Sequence, residues 1–347
     1  MTSLREIFGT ERPIIQAPMA GVQGSALAVA VSNAGGLGSL PCALLSIDAM
    51  RAELSAVKAG TSKPFSVNFF CHTPPAPNLE REAAWRHALR PYYDELGIEI
   101  GSIAPDAGRA PFSHEAADAL GEIKPPVVSF HFGLPSIELL QRVRAWGAKI
   151  LATATTVDEA RWLEARGVDA IIAQGLEAGG HRGIFLSADL TTQVGTFALV
   201  PQIVKAVRVP VVAAGGIADA AGVAAAMALG AAGVQIGTAY LLCPEAVTSS
   251  VHRAALASDA ARHTAITNVF TGRPARGIVN RLMRGIGPTS GIAPPFPLAT
   301  AAYLPLRARA EAQGSGDFSP LWAGQNTSGC KEIPAAQLTR ELTGRVA

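Results

Sequence analysis

VPVVAAGGIADAAGVAAAMALGAAGVQIGTAY, residues 209–240, holds the pattern that decides the fold. Two short apolar runs, Val209–Ala213 and Val234–Ile236, are each followed by glycine, and a helical stretch separates them. The first run is apolar throughout, and Gln235 is the one polar residue of the second; such mostly apolar runs are typical of parallel strands buried on both faces. The stretch therefore predicts a strand, a helix and a second parallel strand.

Six further apolar runs precede this unit. In chain order they are Ile14–Ala17, Leu37–Leu40, Phe65–Phe70, Val127–Phe130, Ile150–Ala152 and Ala170–Ala173. Eight strand and helix units in roughly 240 residues match the size of a (β/α)8 TIM barrel, so we predict an α/β protein of this fold. The alternative is an open, doubly wound sheet, which often carries G-x-G-x-x-G after its first strand. Residues 17–24 read APMAGVQG and lack that spacing.

Two segments do not fit the repeat. Residues 74–124 are too long for one helix and predict an extra helical pair. Residues 244–297 follow the eighth strand, and we interpret them as a helical lobe that covers the barrel mouth. Residues 1–243 and 298–347 would then form the barrel itself.

Composition limits the possible functions. The 347 residues are 49% hydrophobic and 16% charged, with a formal net charge of +2, so a large buried core is expected and disorder is not. The basic residues are scattered, which argues against a nucleic-acid surface. The four cysteines are widely spaced, which is typical of reduced thiols in a cytoplasmic protein. No signal peptide and no membrane-spanning run is evident.

Glycine turns after the seventh and eighth strands predict a phosphate site. The first contains Gly215 and Gly216, and the second follows Gln235 and Ile236 with Gly237 and Thr238. Glycine lets the backbone approach a phosphate, and amide groups with a helix dipole favour the dianion. Each turn alone could simply allow a tight connection, but two at neighbouring strand ends favour phosphate binding.

The exit of the sixth strand is the most informative stretch for chemistry. It reads QGLEAGGHRG from Gln174 to Gly183. Gln174 can bond the edge of a heterocycle, and Gly179 and Gly180 let the loop fold close to a ligand. His181 would then lie over the barrel mouth, where a histidine can exchange a proton or stabilise an anion. The alternative is a loop histidine that bonds only to backbone.

Other strand ends carry weaker candidates. Asn68 is a polar amide within the apolar strand SVNFF, and His131 follows the fourth strand, where it could also be a satisfied core histidine. Ala17, Pro18 and Met19 follow the first strand and could lie against a flat ring. The remaining histidines His72, His252 and His263 are interpreted as structural or surface residues. No metal-ligand spacing and no G-x-S-x-G turn is present.

The motifs PIIQAPMAGVQ, GGLGSL, SVNFF, QGLEAGGHRG, PVVAAGGIAD and GVQIGTAYL resemble those of the nitronate monooxygenases, from Pro13 to Tyr240. A later LWAGQ, Leu321–Gln325, is also similar. The resemblance implies a TIM barrel with non-covalent FMN, held by Asn68, Gln174, Gly179, Gly216 and residues 235–238. It implies that His181 is the catalytic histidine. It further implies that a nitronate and O2 yield a carbonyl product and nitrite without NAD(P)H, in a monomer or homodimer.

Within the family, the sequence most resembles the class that acts on propionate 3-nitronate. It implies that Tyr303 lies in the substrate pocket, and that Arg307 occupies a lysine position there. His131 joins these two as a predicted substrate-binding residue. The family's other pocket aromatic has no clear counterpart in residues 108–114.

Three alternatives stay open at this point. An NAD(P)H-dependent flavin reductase of the same fold, acting on quinones or enoyl-ACP, shares most of the barrel motifs. A non-redox phosphate-binding barrel, such as an isomerase or synthase, would purify colourless. A non-catalytic scaffold is the third, although the polar residues converge on one barrel face.

Overall fold

Eight parallel strands form the central sheet of the computed structural model, which describes residues 3–99 and 109–344. The strands of the described residues are β1 Ile14–Gln16, β2 Gly38–Pro41, β3 Phe65–Phe70, β4 Val127–His131, β5 Lys149–Ala154, β6 Ala170–Gln174, β7 Gly180–His181, β8 Val211–Ala214, β9 Gly233–Ile236, β10 Thr264–Thr267 and β11 Ala275–Ile278. All except β7, β10 and β11 belong to the central sheet, in the order β1-β9-β8-β6-β5-β4-β3-β2.

The sheet closes between its first and last strands. Ile15 bridges Leu37 in parallel, and the amide of Gln16 donates to the carbonyl of Leu37 at 3.0 Å. The predicted (β/α)8 barrel is therefore confirmed, and each of the eight predicted apolar runs overlaps one of its strands.

Helices connect the strands and cover the barrel. They are α1 Leu4–Phe8, α2 Ser25–Asn33, α3 Ile47–Gly60, α4 Leu79–Leu96, α5 His114–Ile123, α6 Ile137–Ala145, α7 Val157–Glu164, α8 Thr196–Ala206, α9 Ala220–Ala228, α10 Ser250–Leu256, α11 Arg281–Ile286, α12 Thr300–Ala312 and α13 Ala335–Glu341. Several begin at a side chain that accepts an amide hydrogen of the first turn, as Ser46 does for α3 and Thr156 for α7.

One end of the barrel is filled, which leaves the other for a ligand. Leu4 and Phe8 of α1 pack in a buried cluster with Ile15, Val127 and Val212. A Cβ on Gly233, at the start of β9, would lie 2.4 Å from the Leu4 side chain. Helix α1 thus seals the amino ends of the strands, and the carboxyl ends form the open mouth.

A lobe lies beside that mouth, and its secondary structure differs from the predicted one. Residues 244–297 contain α10 and α11, but also β10 and β11, which pair antiparallel with each other. Strand β11 also pairs with β7, placing His181 opposite Ala275. The predicted all-helical segment thus includes a small sheet that is continuous with the loop after β6.

The boundary predicted at residue 298 is also corrected. Helix α12 does not return to the barrel, because Ala302, Tyr303 and Leu306 pack in the lobe's core. Helix α4, one of two helices in the predicted extra pair at 74–124, contributes Trp85 and Leu89 to the same core. Helix α13 alone of this region packs on the barrel, against α2.

Candidate active site

A single pocket at the carboxyl ends of the strands gathers most of the predicted site residues. Its wall includes all thirteen predicted cofactor-binding positions together with both candidate histidines: Ala17, Pro18, Met19, Asn68, His131, Gln174, Gly179, Gly180, His181, Gly215, Gly216, Gln235, Ile236, Gly237 and Thr238. These residues come from six of the eight barrel strand exits, as expected for a TIM-barrel active face.

The glycine corner after β8 has a backbone conformation that favours glycine. Gly215 and Gly216 have φ angles of 114° and 73°, in the left-handed region. A Cβ on Gly215 would also lie 2.8 Å from the hydroxyl of Thr196. The chain therefore passes close to the pocket here with its backbone exposed to a ligand.

The helix that follows this corner is already capped. The side chain of Asp219 accepts the amide hydrogen of Gly222 at 2.8 Å, at the start of α9. An acidic cap occupies the position where a helix dipole was expected to face a phosphate. The phosphate prediction thus depends on the glycine backbone and on Thr238, which begins a short 3-10 turn after β9.

The late LWAGQ motif and the next residue, Asn326, contact both corners. The amide of Gly324 donates to Thr238 Oγ1 at 3.0 Å, and Asn326 Nδ2 donates to the carbonyl of Gly216 at 2.9 Å. A Cβ on Gly179 would lie 2.5 Å from the Gly324 nitrogen, so the β6–β7 loop passes directly over this segment. Gly324 and Asn326 line the pocket and were missed as site residues, although the motif itself was singled out.

Gln174 supports the loop that carries His181. Its Oε1 accepts from the amide of Gly183 at 2.7 Å, and its Nε2 donates to the carbonyl of His181 at 3.0 Å. Both ends of the amide therefore serve the protein, although the residue also lines the pocket. The fully buried Arg182 adds bonds to the carbonyls of Gln174 and Gly175, and burial lowers its pKa to about 10.

His181 lies in an aromatic and apolar surrounding. Its ring is 5.3 Å from Phe296 and 5.6 Å from Trp322, centroid to centroid. Desolvation by burial, followed by the positive charge of Arg109, holds the pKa of His181 well below its ordinary value. The imidazole is therefore neutral at neutral pH.

His131 fixes the backbone of His181. Its Nε2 lies 3.2 Å from the His181 carbonyl, which only accepts, so Nε2 carries the proton. Nδ1 then accepts from the hydroxyl of Thr153 at 3.1 Å. Burial lowers the pKa of His131 to about 3, so this ring stays neutral. The structure thus gives His131 a supporting contact to the His181 backbone in addition to its place in the pocket wall.

Asn68 both makes a structural hydrogen bond within the sheet and borders the pocket. Its Nδ2 donates to the hydroxyl of Ser129 at 2.8 Å, across the β3–β4 pair. The residue is 6% exposed and borders the pocket.

Arg109 is a charged pocket residue that the sequence analysis did not identify. Among the described residues of the pocket wall, it alone carries a permanent charge, and no aspartate or glutamate is present there. Its Nη1 donates to Thr300 Oγ1 at 3.2 Å, and its guanidinium lies 5.6 Å from the Phe296 ring centroid. No motif distinguishes this arginine from the scattered basic residues of the chain. His252, interpreted as structural or surface, also borders the pocket and is 4% exposed.

The two residues predicted on α12 lie elsewhere. Tyr303 is 1% exposed and packs edge-on against Phe270 in the lobe's core. Arg307 pairs with Glu311 one helical turn later, at 2.8 Å. Neither is part of the pocket wall, because this face of α12 packs within the lobe. The structure therefore does not support the predicted substrate-binding role of Tyr303 and Arg307.

Glycine corners, a neutral histidine and an arginine around one pocket at a barrel mouth are the features of a TIM-barrel enzyme that binds a small molecule. No group of His, Cys, Asp and Glu within residues 3–99 and 109–344 could hold a metal ion. None of the helices in that part of the chain is long and apolar enough to cross a membrane.

Comparison with known proteins specifies this class. The family model described as nitronate monooxygenase matches residues 1–344. A nitronate monooxygenase of Paraburkholderia phytofirmans is 42% identical over 342 residues, covering 98% of this chain and 93% of the relative. One of Pseudomonas aeruginosa is 42% identical over 345 residues, covering 97% and 96%. The chain belongs to the nitronate monooxygenase family, whose members are flavin-dependent monooxygenases.

Solved structures agree with this assignment. A nitroalkane oxidase from Streptomyces ansochromogenes superposes with a TM-score of 0.90 at 40% identity, covering 99% of this chain and 98% of that one. FabK from Thermotoga maritima shares the fold at a TM-score of 0.71 and 27% identity, covering 99% and 95%. The reductase alternative is therefore not favoured.

Proposed function

We propose that the protein is an FMN-dependent nitronate monooxygenase that converts alkyl nitronates and O2 into a carbonyl compound and nitrite. The observation that carries the proposal is the juxtaposition of a neutral His181 and a cationic Arg109 in a pocket that also contains two glycine corners. Propionate 3-nitronate, which bears a carboxylate besides the nitronate group, is the specific candidate substrate.

The residues present fit an FMN. Gly215 exposes its backbone where a Cβ would crowd Thr196, and Gly216, Gly237 and Thr238 face the same pocket. These corners would hold the phosphate, while Asn68 and Gln235 offer side-chain amides to the ring edge. When bound, FMN would supply the redox chemistry by which a nitronate is oxidised with O2.

The chain's own residues would bind and shield the substrate. Arg109 would attract the nitronate anion, replacing Arg307 in the predicted role. Phe70, Phe132 and Phe296 form an apolar cluster that contacts His181 and keeps water from this end of the pocket. Low polarity strengthens the attraction between Arg109 and an anion.

Two assays on the purified protein test the proposal. We expect a yellow protein that releases nitrite from ethyl nitronate or propionate 3-nitronate under air, and that does not oxidise NADH in the presence of quinones. Under anaerobic conditions, the nitronate should bleach the flavin absorbance near 450 nm.

The same assays can contradict the proposal. Rapid bleaching by NADH with no response to nitronates would instead support the reductase, and a colourless protein that binds no FMN would support a non-redox barrel. Sedimentation of the flavin-loaded protein would determine whether it is the predicted monomer or homodimer.

A further inference from the structure

The backbone of His181 is fixed independently of its ring. Strand β7 pairs with β11, and the His181 carbonyl accepts from both Gln174 Nε2 and His131 Nε2. The ring therefore occupies a defined place in the pocket wall, and the role of each ring nitrogen depends on what that nitrogen contacts.

One ring nitrogen contacts a buried hydroxyl. His181 Nε2 lies 2.9 Å from Thr271 Oγ1, and Thr271 is 1% exposed. The same hydroxyl lies 3.4 Å from the carbonyl of Arg273, a second group to which it can donate. The Thr271 hydroxyl donates either to this carbonyl or to His181 Nε2, and in the first arrangement its oxygen accepts Nε2–H from His181.

The other ring nitrogen is left to the pocket. His181 Nδ1 forms no hydrogen bond with any residue that the structure describes. It is not among the fully buried atoms without a partner, so it is accessible from the pocket. With the proton on Nε2 of a neutral ring, Nδ1 holds a lone pair.

The loop that carries Thr271 is closely packed. Gly272 has a φ of 83°, and a Cβ there would lie 2.0 Å from the carbonyl oxygen of Pro294. The Gly272 amide also donates to the carbonyl of Asn268 at 2.8 Å. The hydroxyl is thus held in place by backbone contacts, as expected for a group that orients another.

We propose that Thr271 is a positioning residue that keeps the proton of His181 on Nε2 and so presents Nδ1 as the base for a neutral nitroalkane. The proposal rests on the proposed function, and it extends that function from nitronates to the nitroalkanes from which nitronates are formed.

The step is a simple proton transfer. The C–H bond next to the nitro group breaks, its electron pair forms the C=N bond of the nitronate, and the negative charge moves to the nitro oxygens. The proton goes to Nδ1 of His181, and no oxidant is needed. Arg109 and His181 both line the pocket in which the anion would form. The low pKa of His181 ensures that the ring is neutral before the transfer.

A matched pair of substrates and variants tests the proposal. We expect Thr271→Val, which removes the hydroxyl at nearly constant volume, to lower kcat/KM for nitroethane at least about 10-fold, because general-base catalysis depends on the correct tautomer. Turnover of pre-formed ethyl nitronate should change less than about 2-fold, since that substrate needs no deprotonation. Thr271→Ser should retain both activities.

Nitrogen-15 NMR of the histidine rings supplies a readout other than activity. The wild-type protein should show His181 as the Nε2–H tautomer, and Thr271→Val should show a mixture of tautomers. If Thr271→Val loses activity equally on nitroethane and ethyl nitronate, Thr271 has only a structural role. Unchanged kinetics in Thr271→Val would overturn the proposal. An Nδ1–H tautomer of His181 in the wild type would overturn it as well. Failure of wild type with the nitronate itself would instead contradict the proposed function, and the NMR result would still decide the tautomer.

Discussion

Arg109 is the residue through which the pocket would distinguish an anion from a neutral molecule. Its charge acts in a wall where histidines are neutral and acidic side chains are absent among the described residues. Arginine donates several hydrogen bonds in a planar arrangement that matches the two oxygens of a nitronate or carboxylate. Arg307, the residue predicted for this role from the resemblance, lies outside the pocket wall and pairs with Glu311.

Arg109→Leu should therefore raise KM for ethyl nitronate about 10- to 100-fold, the cost of a lost charge-assisted bond of roughly 1–3 kcal/mol. Arg109→Lys should retain part of the affinity. The positive charge of Arg109 also lowers the pKa of His181, so its removal should move the acidic limb of the pH profile to higher pH.

Arg307→Leu is the matched control for this prediction, because it removes the same charge from a position outside the pocket wall. Its KM should stay within about 2-fold of wild type. A larger rise in KM for Arg307→Leu than for Arg109→Leu would restore the role that the resemblance implies for Arg307. Steady-state nitrite assays at fixed pH and salt decide between the two arginines.

At the scale of elements, the eight barrel strands were predictable because each contains a short, mostly apolar run that is largely buried. Strands β7, β10 and β11 could not be predicted in this way. Strand β7 has only two residues and lies in a glycine-rich stretch, and β10 and β11 are four-residue strands with polar or basic side chains. These three strands form one small sheet, whose pairing over long sequence distances no local pattern reveals. The lobe was consequently predicted as helical.

The error at α12 has a different cause. Tyr303 and Arg307 were placed in the pocket because the family resemblance implied it, and no local pattern of the sequence shows which way their helix faces. Helix α12 packs against α4, which is distant in sequence, and this contact determines which way α12 faces. The carboxyl ends of barrel strands face the mouth, so the sequence could predict that Gly215, Gly216, Gly237 and His181 border one pocket.

The turn after β9 offers a test of the phosphate corner. A Cβ on Gly237 would lie 3.2 Å from Ala17 Cβ and 3.6 Å from Met19 Sδ, so a larger side chain would extend along the pocket wall. Gly237→Val should fold but lose at least about 10-fold in FMN affinity, because the branched side chain blocks backbone approach to the phosphate. Flavin content and an FMN titration measure this loss.

Gly121→Val is the control for that substitution, since no atom lies within 4 Å of a Cβ at this helical position. It should bind FMN like the wild type. Full flavin occupancy and unchanged affinity in Gly237→Val would show that the phosphate lies at another part of the pocket.

For the molecule as a whole, the buried His72 and His252 and the half-buried His131 and His181 make the free energy of unfolding depend on pH. Desolvation by burial lowers the pKa of His72 and His252 to about 4 and that of His131 to about 3, and it holds the pKa of His181 well below its ordinary value. Each ring is thus neutral in the fold, whereas in the unfolded chain each accepts a proton near pH 6.5. Below that pH the unfolded state binds more protons, so the free energy of unfolding falls as the pH decreases towards about 4.

The size of this effect follows from proton linkage. Each such histidine contributes a slope of up to about 1.4 kcal/mol per pH unit, so one ring alone would remove roughly 2 kcal/mol between pH 7 and pH 5. We expect urea unfolding at a fixed excess of FMN to show at least this loss. His252→Phe replaces a buried ring whose Nε2 has no hydrogen-bond partner, and it should reduce the slope by about one proton. Equal unfolding free energies at pH 7 and pH 5 would mean that these rings are hydrated and titrate normally, and the neutral state assigned to His181 would then be wrong as well.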